Sequence, residues 1–246
     1  MEEPAGRTSR IRLVAVCFGL ALCGILAGGV ILLGLGFTLF VVLDISITPL
    51  SQLALSLVAV QGLGFPLVAI LYFRYKGRSL RSFVPVAVPS LRELGITIAG
   101  WVAAIVITPV VATVVIAVVN QQPASNAAGE TAQQNPEIIP LLIPLVFLLN
   151  APGEELLFRG VIQGLLRERF SAWAAIALTT AAFAPLHIVA LIGSPTAALL
   201  TIVIISVPSI VFGTTYELTD NLVVPSLVHA LFNSTLFAGV YLSSLG

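Results

Sequence analysis

The sequence has 246 residues, of which 58% are apolar and 9% charged, with a mean hydropathy of +1.09. Soluble domains carry about 25% charged residues, so this chain cannot cover a water-facing surface and its solvent is mostly lipid. Basic and acidic residues balance at 11 each. That neutrality points to neither a nucleic acid nor an acidic substrate as partner, and the information lies in where the charges sit.

Residues 1–12 are polar and hold Arg7, Arg10 and Arg12, ahead of an apolar run over residues 13–43. The run is far longer than the about 7–15 residue core of a cleaved signal peptide and is expected to be the first membrane span. Its two cysteines, Cys17 and Cys23, form no CxxC or metal spacing and are expected to be small core or lipid-facing residues.

A spanning helix needs about 20 predominantly apolar residues. The expected fold class is therefore all-α, a polytopic transmembrane bundle of about seven spans: 13–42, 53–73, 94–119, 138–166, 172–192, 197–215 and 222–242. The connector 74–92 is basic, and 120–137 is a Gln/Asn/Ala-rich loop without a basic residue. Cytoplasmic loops retain Lys and Arg. With seven spans and a cytoplasmic N-terminus, Arg74, Lys76, Arg78, Arg81, Arg92, Arg167 and Arg169 all fall inside, and the C-terminus is expected outside. Tyr72, Tyr75 and Trp173 sit near inner boundaries, as an aromatic belt would.

An ionisable side chain within a span costs at least about 2.5–3.5 kcal/mol on insertion scales, so each needs a partner or a task. In 151–159 (APGEELLFR), Pro152 and Gly153 precede adjacent carboxylates. Pro152 is expected to open a new half-helix, whose dipole favours Glu154 and Glu155 in its first turn. Glu155 and Arg159 are four apart in the better order for an ion pair. Glu154 is then left without a local partner, which favours a functional role.

His187 lies in the fifth span, two residues after Pro185. It can serve as a base, an acid or a ligand, or simply as interhelical hydrogen-bonding glue. His229 and Asn233, four apart in the seventh span, share a helical face. They suit either an oxyanion hole or a polar clasp. Glu217 and Asp220 read as residues of a solvated inner loop, without chemistry. Asn233-Ser234-Thr235 matches a glycosylation sequon, but its place inside a span argues against that use.

Glu154-Glu155-x-x-x-Arg159, Phe183-x-x-x-His187 and His229-x-x-x-Asn233, in that order and each within a span, resemble the three-motif signature of the CPBP family. That family comprises the type II CAAX prenyl proteases and the bacteriocin-processing or bacteriocin-immunity (Abi) membrane proteins. The resemblance covers roughly residues 141–241. It divides the chain into a tail with three less diagnostic spans (1–136) and a catalytic core of about four spans (137–246).

The resemblance implies an intramembrane endopeptidase acting on a membrane-bound protein in contact with membrane lipid, a prenylated CAAX-type protein being one such substrate. It implies that Glu154 and His187 activate a water, that His229 and Asn233 stabilise the oxyanion, and that Glu155, Arg159 and Phe183 support them. It leaves the metal open: a zinc or other divalent ion would take Glu154, His187 and His229, while a glutamate–histidine mechanism needs none. No HExxH is present. Two alternatives stay beside it. One is a proton-coupled transporter with Glu154, His187 and His229 as a relay; the other is a catalytically silent immunity or scaffold protein.

Overall fold

The computed structural model describes residues 5–245, with side chains from Arg10 onward; Arg7 therefore lies outside the described side chains. Among the described residues, seven helices are long and apolar enough to cross a membrane: Arg10–Val42, Pro49–Tyr75, Leu91–Val119, Pro136–Arg167, Ala172–Ala190, Pro195–Thr219 and Val223–Ser243. The chain is an all-α polytopic bundle, as its composition dictates, because lipid leaves each backbone group only its own helix to bond to.

The helix ends carry local signals. Thr48, with Pro49 behind it, caps the second span through a reciprocal pair with Ser51, and Ser90 does the same for the third through Glu93. Ser171 and Ser194 cap the fifth and sixth. Asn120 and Asp220 end the third and sixth in left-handed geometry, at φ 53° and 46°. Asp220 is thus a helix terminator, whereas Glu217 stands in the last turn of the sixth span rather than in a loop.

The connector after the third span is more ordered than its composition suggests. Ser125–Asn126 (β1) pairs antiparallel with Leu191–Ile192 (β2), which follows the fifth span. The Ala127–Gln134 helix continues from β1, capped by Asn126. A two-stranded clasp therefore ties two connectors at the same end of the bundle.

Helices meet where side chains are smallest. A Cβ on Gly64 would lie 2.6 Å from the Gly28 Cα, so the first two spans touch backbone to backbone. A Cβ on Gly153 would lie 2.0 Å from the Gln61 carbonyl oxygen, which makes the second and fourth spans equally close. The third span lies on the sixth and seventh through Gly100, opposite Thr215, and through Trp101, whose indole N–H donates to Thr235 at 3.0 Å. The main core centres on the fourth span, where Leu157, Phe158, Val161 and Ile162 pack with Phe65, Phe73 and Phe183. Cys17 is buried in this core and Cys23 is exposed, matching the two places expected of them.

The fourth span runs unbroken from Pro136 to Arg167. Pro152 does not begin a separate half-helix. A π-helical turn, Val146–Asn150, leads directly into Ala151–Glu155, and a second π segment, Leu156–Gln163, follows. Wide turns absorb the proline, whose missing N–H would otherwise leave a gap in the α ladder. The fifth span does change at its proline, tightening to a 3₁₀ helix over Ala184–Ala190.

Candidate active site

The fourth span presents Glu154, Glu155 and Arg159 to the interior, all nearly or fully buried. Glu155 and Arg159 form the expected pair, Nη1 to Oε1 at 3.0 Å with both side chains at zero exposure. Arg159 is anchored further: its Nη2 donates to the Ser209 carbonyl and hydroxyl oxygens, both at 2.9 Å. Its guanidinium lies 4.9 Å from the Phe183 ring centre and 5.4 Å from that of Phe212. A charge buried this deeply is sustained only by such complete surroundings.

Glu155 does more than hold Arg159. Its Oε1 also takes the Nδ1–H of His229 at 2.8 Å, and the Phe212 ring stacks on that imidazole at 4.6 Å. With Nδ1 protonated toward Glu155, Nε2 is the acceptor, and Asn233 donates to it at 3.0 Å. The same Asn233 amide donates to Asn150 Oδ1 at 2.8 Å. Asn150 in turn donates to Glu154 Oε1 at 3.0 Å. The chain Arg159–Glu155–His229–Asn233–Asn150–Glu154 therefore runs without a gap, and each link fixes the orientation of the next.

Glu154 is not the partnerless carboxylate that its neighbours in sequence suggest. Besides Asn150, its Oε1 accepts from Gln61 Nε2 of the second span at 3.2 Å. The second oxygen, Oε2, faces His229 Nε2 at 3.9 Å, too far for a direct hydrogen bond. One carboxylate oxygen is thus held by two amides, while the other is turned toward the imidazole. Gln61 and Asn150 escaped the sequence reading, although both are carboxamides inside apolar runs and Asn150 precedes Glu154 by one helical turn.

His187 stands apart. The 3₁₀ turn that carries it sets its ring 4.7 Å from Phe183, edge to face, with Nδ1 3.4 Å from the Phe183 carbonyl oxygen. It is half-buried and forms no ion pair with Glu154. Phe183 lies between the two histidines, its ring centre 6.5 Å from that of His229. The structure therefore unites Glu154, Glu155, Arg159, His229 and Asn233, and places His187 one aromatic ring away.

This spacing bears on a metal. Among the described residues, no group of three or more His, Cys, Asp or Glu side chains converges as ligands would. Both His229 nitrogens are engaged by Glu155 and Asn233, and His187 faces Phe183. Glu154, His187 and His229 do not fit a three-ligand set in this conformation.

Residues 136–235 match the family model described as type II CAAX prenyl endopeptidase Rce1-like. In this segment the chain is similar to the Rce1-like family. No curated protein and no solved structure matches. The matched segment begins where the fourth span begins and includes the whole polar chain, while Gln61 reaches in to Glu154 from the second span. Beside it, an apolar groove of about 220 Å³ is lined by Phe147 and Pro152 of the fourth span, Val86, and Leu222, Val223, Ser226 and Leu227 at the start of the seventh.

Proposed function

We propose that the chain is an intramembrane endopeptidase that hydrolyses a peptide bond in a membrane-associated, CAAX-type substrate, with Glu154 as the general base. The observation that carries this reading is the asymmetry of the Glu154 carboxylate. Oε1 is occupied by Asn150 and Gln61, and Oε2 stands 3.9 Å from His229 Nε2. Once the Asn233 amide turns away from Nε2, a water hydrogen-bonded at about 2.8 Å to each of these two atoms fits between them.

In this mechanism the water oxygen attacks the scissile carbonyl carbon as one water proton passes to Glu154 Oε2. The C–N bond then breaks, and Glu154 returns the proton to the departing nitrogen. Glu155 holds the imidazole by Nδ1, as the carboxylate of a catalytic triad does. His229 and Asn233 supply polar hydrogens to the developing oxyanion, which requires a proton on Nε2 and rotation of the Asn233 amide. The apolar lining of the groove beside Pro152 suits a hydrocarbon or an apolar side chain arriving from lipid. The N-terminus is assigned to the cytoplasm from the basic connectors.

The test is hydrolysis of farnesylated and unmodified peptides by the purified protein in liposomes. Glu154→Gln is expected to lower turnover about 10²–10⁴-fold while leaving thermal unfolding unchanged. Flux of protons with no cleavage by the wild type would favour the relay instead. Loss of cleavage on adding a chelator would return the metal to the mechanism.

A further inference from the structure

Beyond the catalytic chain, the fourth and sixth spans share a second polar feature. Glu155, Arg159, Gln163 and Arg167 recur every four residues along the fourth span, and Ser209, Gly213 and Glu217 recur every four along the sixth. The two rows are cross-linked in register. Arg159 bonds Ser209. Gln163 Nε2 donates to the Gly213 carbonyl at 3.0 Å and to Glu217 at 2.9 Å. Arg167 pairs with Glu217 at 3.0 Å, where the Arg167 side chain is 42% exposed. A polar seam of roughly 18 Å therefore connects the basic end of the bundle to Glu155 and His229.

The seam is not fully satisfied by protein. Among the described residues, Glu155 Oε2, Arg159 Nε and Gln163 Oε1 are buried without a hydrogen-bond partner, and their side chains have zero exposure. So is Thr179 Oγ1, one helical turn before the Phe183 that covers Arg159. Orphaned polar atoms at this depth are rare, because each costs about 1–3 kcal/mol. Several in file along one seam, beside atoms already bonded to neighbours, match the usual setting of ordered internal water. Gly213 lets the two rows approach this closely: a Cβ there would lie 2.9 Å from Gln163 Oε1 and 3.2 Å from Ile176 Cγ2.

We propose that the seam between the fourth and sixth spans binds a file of water, entering at the Arg167–Glu217 pair and ending at Glu155 and His229. Its ligand is water itself, and its use rests on the hydrolase reading above. Each bond cleaved consumes one water, in a site walled by apolar helices. Gln163 is the positioning residue at the middle of the file, tied to both rows through its amide.

The experiment uses protein with ¹⁵N-labelled arginine in lipid nanodiscs, with exchange of the Arg159 Nε–H followed by NMR after transfer to D₂O. The signal is assigned by its loss in Arg159→Lys. The Nε–H is expected to exchange at least about tenfold faster than the backbone amides of the buried neighbours Val161 and Ile162. Gln163→Leu, close in size and without polar atoms, is expected to slow that exchange about tenfold and to lower kcat with KM unchanged. Thr179→Val removes one orphaned hydroxyl without disturbing the cross-links and is expected to slow exchange less. An Nε–H as protected as its backbone neighbours would overturn the file, whether or not the protein cleaves any peptide. Fast exchange that Gln163→Leu leaves unaltered would overturn this route for water. Fast, Gln163-dependent exchange in a protein that cleaves nothing would keep the file and sink the peptidase.

Discussion

The third and fourth spans are near equals by length, 29 and 32 residues, yet they occupy opposite places in the bundle. The third is the more apolar, with mean hydropathy 2.9 against 1.6, and 6% of an apolar 18-residue stretch of it is buried against 50% for the fourth. In water the more apolar helix would be the inner one. In lipid, apolar surface has no reason to leave the solvent, and position is decided by polar groups and by small residues that permit close approach. The fourth span has both, in Glu154, Glu155, Arg159 and Gln163 and in Gly153, Gly160 and Gly164. The third keeps its buried face to Thr97, Gly100 and Ala104.

Removing a polar anchor from the inner span is the strongest way to break this contrast. Arg159→Met would leave Glu155 as an uncompensated charge at zero exposure, and its loss is expected to destabilise the fold by about 3–5 kcal/mol. Unfolding of the purified protein in mixed micelles measures it. A change below about 1 kcal/mol would mean that water already neutralises the pair.

Close approach is the second support. Gly153→Ala would drive a methyl into the Gln61 carbonyl, a backbone atom that cannot turn aside. The second and fourth spans must part, at a cost of about 1–3 kcal/mol, and Gln61 must retreat from Glu154. Peptide hydrolysis is expected to fall further than stability alone explains, which parallel unfolding and turnover measurements would resolve.

How much of this was legible in the sequence follows the same division. Hydropathy defined all seven spans, with boundaries displaced by a few residues where polar caps such as Thr48 and Ser194 extend a helix past its apolar run. The Glu155–Arg159 pair and the shared face of His229 and Asn233 were legible because both are local, one helical turn apart. Contacts between helices were not. The Gln61–Glu154 bond spans 93 residues, and nothing in either run specifies the register that joins them. The separation of His187 from Glu154 depends on the 3₁₀ turn after Phe183, which Pro185 announces without fixing its direction. Hydropathy ends the sixth span at residue 215 and so leaves Glu217 to solvent, whereas the helix continues through polar residues to Thr219.

The two amides on Glu154 grade the effect of each span. Asn150→Leu removes donors and acceptors to both Glu154 and Asn233, whereas Gln61→Leu removes one 3.2 Å bond contributed by the less polar half of the chain. A hydrogen bond to a charged group contributes about 1.5–3 kcal/mol. Gln61→Leu is accordingly expected to lower kcat about tenfold and Asn150→Leu more, in the same liposome assay. Equal losses would mean that the second span positions the base as strongly as the fourth.

The smallest effect should come from the outer span. Gly95 lies in the Leu91–Val119 helix, is exposed, and among the described residues has no heavy atom within 4 Å of where a Cβ would sit. An added methyl meets only solvent, so no helix has to move. Alanine also restricts the unfolded chain and favours the helix, and Gly95→Ala is expected to stabilise the protein by about 0.5–1 kcal/mol without altering hydrolysis. It is the same substitution as Gly153→Ala with the opposite sign, separated only by what each helix faces. If unfolding in mixed micelles showed Gly95→Ala to be destabilising by a comparable amount, the third span would have a packing partner, and its peripheral place would be occupied by another protein surface rather than by lipid.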